Sequence, residues 1–194
     1  MDATLETNAS GYKYTLSLER RFGHPPEKVW RVITERELLK QWFPCDVVGD
    51  WNVGAKLDFI IALEETEHAT EEDLHGEVLA VDAPRLLEYR WGKHSMKFEL
   101  EPDGNGCLFR LSESFDDKSW CARNAAGWEI CIENLDLVLE GAAIAKFAAD
   151  VWRDKFDRYA RKFKDIVGPR GGLAEDDPLL KLGREPNHPQ VSGK

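Results

Sequence analysis

The stretch that most restricts the fold lies at residues 24–43, where an alternating segment ends in a Pro-Pro pair and two short amphipathic segments follow. Pro25 and Pro26 suit a helix start, because the N–H groups of a first turn have no intrahelical partner to lose. Val29, Trp30 and Ile33 then fall on one face at helical spacing. Thr34 followed by Glu37 matches a capping box, which predicts a second helix with Leu38, Leu39, Trp42 and Phe43 as its apolar side. The segment before the prolines, residues 12–22, alternates Tyr12, Tyr14, Leu16 and Leu18 with Lys13, Thr15, Ser17 and Glu19, the pattern of a half-buried strand. A strand feeding a corner of two helices, with more strands to come, leaves few architectures open.

Further strands are predicted over residues 45–49, 55–63, 74–82, 86–91, 96–100 and 107–115. Their separators are rich in Gly, Pro, Asn and Asp, so short turns join them into an antiparallel meander. Residues 64–73 hold six acids and read as a solvated hairpin tip. At residue 119 the apolar period changes from 2 to about 3.6. Cys121, Ala125, Trp128, Cys131, Ile132, Leu135, Val138 and Leu139 form one stripe, and Glu129, Glu133, Asp136 and Glu140 line the other side. A last helix is predicted over residues 143–166 with Phe147, Val151, Trp152, Phe156, Tyr159 and Phe163 as its seam. Gly168 and Pro169 stop it. One domain over residues 11–167, flanked by flexible tails at 1–10 and 168–194, accounts for all 194 residues.

Composition narrows function by exclusion. A net charge of −10 argues against a nucleic-acid partner. No apolar run approaches the roughly 20 residues of a membrane span. The acidic opening, Met1 to Thr7, does not have the form of a secretory signal. Four cysteines without C-x-x-C spacing point to reduced thiols and a cytoplasmic setting. The five histidines have no metal-ligand spacing, and neither a G-x-S-x-G elbow nor a phosphate loop is present, so no metal or other cofactor is expected.

Several segments together carry a resemblance. They are Pro26-Glu27-Lys28-Val29-Trp30, Leu39-Lys40-Gln41-Trp42-Phe43, Gly54, Gly76-Glu77-Val78-Leu79, the run from Pro84 to Trp91, Phe98-Glu99-Leu100 with Gly104 and Gly106, and Gly127-Trp128. In this order they resemble the START-like superfamily, also called SRPBCC, in the branch named after the activator of the heat-shock chaperone ATPase. The likeness spans about residues 14–141. It departs at Glu113, where the family often has His. The resemblance implies an α+β helix-grip fold: a curved antiparallel sheet of about six or seven strands around a long C-terminal helix, with two short helices after the first strand. It also implies a cavity for a hydrophobic or amphipathic small molecule, and no shared catalytic constellation.

The expected cavity wall comprises Leu57, Phe59, Trp91, Phe98, Phe109, Leu111, Glu113 and Trp128. Trp91 and Trp128 would offer flat apolar surface and one N–H each. Glu113 shares a strand face with Phe109 and Leu111, which turns a carboxylate inward, where it needs partners. His75 with Glu77 is a weaker polar pair, Arg90 is expected to face solvent, and Trp51 and Trp120 lie where they could rim an entrance. Three functions stay open: a ligand carrier, a cyclase- or hydratase-like enzyme with Glu113 as acid or base, and a module acting on a chaperone partner. A homodimer through an exposed strand or the last helix also stays open.

Overall fold

Alternation drives the sheet. In the last strand Cys107, Phe109, Leu111, Glu113 and Phe115 are buried, and the residues between them are half exposed. The computed structural model describes residues 1–61, 70–144 and 147–183. Among these, eight strands form one antiparallel sheet: β1 (Thr4–Thr7), β2 (Tyr14–Phe22), β3 (Asp46–Val48), β4 (Lys56–Ile60), β5 (His75–Asp82), β6 (Leu86–Trp91), β7 (His94–Asp103) and β8 (Gly106–Phe115). Their spatial order is β1-β2-β8-β7-β6-β5-β4-β3. The chain crosses from β2 to the far edge through α1 (Pro26–Thr34) and α2 (Arg36–Trp42), then meanders back until β8 pairs with β2. A register shift between Val78 and Ala80 bends β5.

The inner face of the sheet is covered by α3 (Trp120–Leu139), which packs on β2, α1 and α2. Its buried side includes Cys121, Ala125, Trp128, Ile132, Leu135 and Leu139. A fourth helix, α4 (Ala149–Lys162), lies on the other side of α3, and a single turn, α5 (Lys164–Val167), ends the helical part.

The structure departs from the sequence expectations in instructive ways. The N-terminal tail is partly ordered: Thr4–Thr7 adds an eighth, edge strand, Leu5 opposite Leu16, and Ala3 is fully buried with its N–H donating to the Tyr159 hydroxyl at 3.2 Å. Backbone pairing does this work, so side-chain pattern gave little sign of it. Residues 168–183 are likewise packed. Leu173 is buried, and the Arg153 guanidinium donates to the carbonyls of Leu179 and Leu182. Residues 184–194 lie outside the described residues.

The last long helix begins at Ala149 rather than residue 143, which leaves Phe147 and Val151 exposed while Trp152, Phe156, Tyr159 and Phe163 form the seam. Thr34 caps nothing; its hydroxyl donates to the Trp30 carbonyl at 2.7 Å, and α2 starts without a side-chain cap. The buried stripe of α1 is Val29, Val32 and Ile33, with Trp30 only half buried. Most of the acidic loop, residues 62–69, lies outside the described residues, but Thr70 and Asp73 close a capping box on a 3-10 turn at Glu71–Leu74.

Glu129 is the largest surprise on α3. It was expected at the solvent side, yet only 4% of it is exposed, because α4 covers it. Lys155 donates to it at 2.7 Å, and Arg158 and the Tyr159 hydroxyl complete the set. Burial works against the Glu129 charge, but the hydrogen bonds from Lys155 and Tyr159 outweigh it and hold the carboxyl below its ordinary pKa. Burial, then the adjacent Glu129, push the Tyr159 phenol up.

Candidate functional site

Helix α2 delivers two aromatic rings into the concave face. Trp42 lies 6.2 Å from Phe98, and Phe43 lies 5.5 Å from both Trp91 and Trp128. These rings fill one half of the face. Between Phe43 and the first turns of α3 a cavity of about 370 Å3 remains. It is walled by Pro44 and Cys45 after α2, Ile61 after β4, Asp73 of the 3-10 turn, Trp91, His94, Glu113, and one face of α3: Trp120, Arg123, Asn124, Gly127, Trp128 and Cys131.

Of the eight expected wall residues, Trp91, Glu113 and Trp128 line this cavity. Leu57, Phe59, Phe98, Phe109 and Leu111 do not. They are 0–2% exposed and form solid core beneath it, because α2 occupies the space they were expected to border. Phe59 still serves the site indirectly by stacking on Trp91 at 4.6 Å. That stack depends on Gly76: a Cβ there would lie 2.7 Å from the Phe59 ring and 2.1 Å from the Arg90 carbonyl. Among the weaker candidates, His75 pairs with Asp58, and Glu77 with Lys56 and Arg90, all on the exposed side. Trp51 donates to the Thr34 carbonyl and lies tilted against Tyr89, outside the cavity wall, whereas Trp120 lines it.

The polar centre of the cavity is Glu113, 3% exposed. One carboxylate oxygen accepts from Asn124 Nδ2 at 2.8 Å and faces His94 Nδ1 at 2.6 Å. The other accepts from Trp128 Nε1 at 2.7 Å. The Trp128 indole N–H is therefore committed, and so is that of Trp91, which donates to the Asp73 carbonyl at 2.7 Å. Both tryptophans present ring surface alone to the cavity. His94 is held by more than Glu113: its ring stands edge-on to Trp120 at 4.8 Å and leans on Phe115 at 5.4 Å.

His94, Asn124 and Arg123 were not anticipated as site residues, and Trp120 only as a rim, yet signals for them exist. Gly92 and Lys93 make a two-residue turn, so Trp91 and His94 are cross-strand partners on one face. Gly92 takes φ +55°, which a non-glycine residue adopts at a cost. An inward Trp91 therefore carries His94 inward, diagonal to Glu113. On α3, Trp120, Asn124, Gly127 and Cys131 recur at helical spacing beside the main stripe. Gly127 leaves the floor open: a Cβ there would meet nothing within 4 Å.

The cavity thiol of Cys131 is pushed up to about 12 by burial. It is a protonated, small apolar wall group at neutral pH rather than a nucleophile. Among the described residues, no three His, Cys, Asp or Glu side chains could hold a metal ion, and no helix is long and apolar enough to cross a membrane.

Comparison with solved structures places the fold. The chain is 18% identical to CalU16 of Micromonospora echinospora, with a TM-score of 0.62, covering 82% of this chain and 94% of that one. It is 22% identical to the conserved protein EF2215 of Enterococcus faecalis, with a TM-score of 0.68, covering 84% and 91%. DynU16, of the dynemicin biosynthetic locus, is 20% identical at a TM-score of 0.54, covering 65% of this chain and 47% of that one. No curated protein matches the chain. The model of one protein family, described as activator of Hsp90 ATPase homolog 1-like protein, matches residues 23–140, and the chain belongs to that family.

Proposed function

We propose that this protein binds a hydrophobic or amphipathic small molecule in the cavity beneath the first turns of α3. The observation that carries this reading is a space of about 370 Å3 walled mainly by aromatic and small apolar groups around a few convergent polar ones. Ligand pockets typically measure about 300–1,000 Å3, so the guest is compact, a small ring system rather than a long extended chain. The tryptophan rings in the wall put aromatic compounds at the head of a test panel, and the biosynthetic locus of DynU16 adds natural products to it. Trp91, Trp120 and Trp128 all border the space and report its occupancy. The test is tryptophan emission and thermal unfolding with aromatic compounds and fatty acids. Quenching with a rise in melting temperature is expected for compact aromatics, since a ligand at about 100 times its Kd adds ~2.7 kcal/mol. No change for any member of the panel would refute the reading.

A second reading, an enzyme exchanging a proton with the guest, rests on the His94–Glu113 pair at 2.6 Å. A carboxylate on Nδ1 fixes the imidazole and leaves Nε2 for the guest. The acid or base is then His94 rather than Glu113, whose two oxygens already have three partners. Turnover of a bound compound that survives His94→Asn unchanged removes this reading.

A further inference from the structure

We propose that the guest carries an anionic group, a carboxylate on a flat apolar body, and that Arg123 is the residue that binds it. This rests on the cavity being a ligand site and adds the class of ligand. The Arg123 guanidinium carbon lies over the Trp120 ring, 3.4 Å from its centroid, and both residues line the cavity. Stacking fixes the plane of the fork without consuming its N–H groups.

Unlike Arg20, Arg36, Arg110 and Arg158, each paired with a carboxylate, Arg123 has neither an ion pair nor a hydrogen bond among the described residues. None of its nitrogens is sealed from open space. The acids around it each commit at least one oxygen to another donor. Glu113 holds Asn124, Trp128 and His94; Asp73 closes the Thr70 box; Asp117 accepts from Ser119 N–H and Asp177 from Leu179 N–H. Burial lowers the Arg123 pKa from its ordinary value despite the pull of Asp177, Glu113, Asp117 and Asp73. A charge that burial disfavours, with its donors unspent, is relieved by an anion in bidentate contact.

The test compares naphthoate with its neutral isostere naphthamide, by tryptophan emission and calorimetry, on the wild-type protein, Arg123→Met and Arg123→Lys. Expected is naphthoate binding about tenfold tighter than naphthamide to the wild type. The preference for the acid over the amide disappears in Arg123→Met and shrinks in Arg123→Lys. Equal affinities for the two compounds, or a preference for the acid that survives both substitutions, overturn the anion assignment and leave the cavity reading standing. Failure of both compounds to bind the wild type overturns the cavity reading and this inference with it. Should Arg123→Met unfold, Arg123→Lys decides: a reduced preference supports the proposal and an unaltered one overturns it.

Discussion

Two glutamates lie buried on opposite sides of α3, Glu113 at 3% and Glu129 at 4% exposure, and their surroundings differ in kind. Glu129 sits in the α3–α4 seam with two cations and a phenol, Lys155, Arg158 and Tyr159. Tyr159 in turn accepts from the Ala3 N–H, so one carboxylate ties together two helices and the N-terminal segment. Glu113 sits at the edge of a cavity and is met by an amide, an indole and an imidazole. A carboxylate closed in by full opposite charges is a fastener. One held by N–H groups beside open space orients an imidazole and shapes a polar floor. Burial alone does not distinguish the two acids; the partners and the neighbouring void do.

The contrast can be broken most forcefully at the seam. Glu129→Ala leaves Lys155 and Tyr159 with lost partners in a covered site. A loss of about 3 kcal/mol is expected in urea unfolding, the low end for a buried pair because Arg158 is partly exposed and can turn to water. Glu113→Gln keeps one acceptor and loses the other, so a smaller loss is expected, about 1–2 kcal/mol, with altered emission from Trp128. Equal losses at the two sites would contradict the distinction.

Gly127→Leu fills the cavity without touching either glutamate. Replacing a mid-helix glycine, with nothing within 4 Å of its added Cβ, should raise stability by about 0.5–1 kcal/mol and abolish guest binding. A destabilised variant that still binds would mean that the space seen here is not the binding site. The subtlest effect is on pH. The Glu129 pKa is lowered by folding, so its contribution is complete above the ordinary glutamate range, about 4.3, and is lost as pH falls through the folded value. The melting temperature of the wild type should therefore fall more steeply below pH ~4.3 than that of Glu129→Gln; parallel acid limbs would argue against that coupling.

Strand periodicity made the meander, the inward aim of Glu113 and the buried stripe of α3 legible, because each depends on a local repeat of two or 3.6 residues. The cavity wall was legible only in part. Trp91, Glu113 and Trp128 follow from alternation and helical spacing, but Leu57, Phe59, Phe98, Phe109 and Leu111 obey the same alternation and are core. Which inward residues border a void depends on where Trp42 and Phe43 land. Glu129 was misplaced for a related reason, since a polar side of one helix becomes interior only when a second helix docks on it.

The amino-acid sequence alone determined the order of elements from β2 to α3, the family, and which face of each central strand turns inward, since nearest-neighbour periodicity and turn chemistry are properties of short segments. Tertiary structure decided the location of the hollow, the partnership of His94 with Glu113, and the separation of Arg123 from any paired carboxylate among the described residues. These depend on distances between segments far apart in the chain, set by how bulky rings from α2 and the first turns of α3 divide a common space.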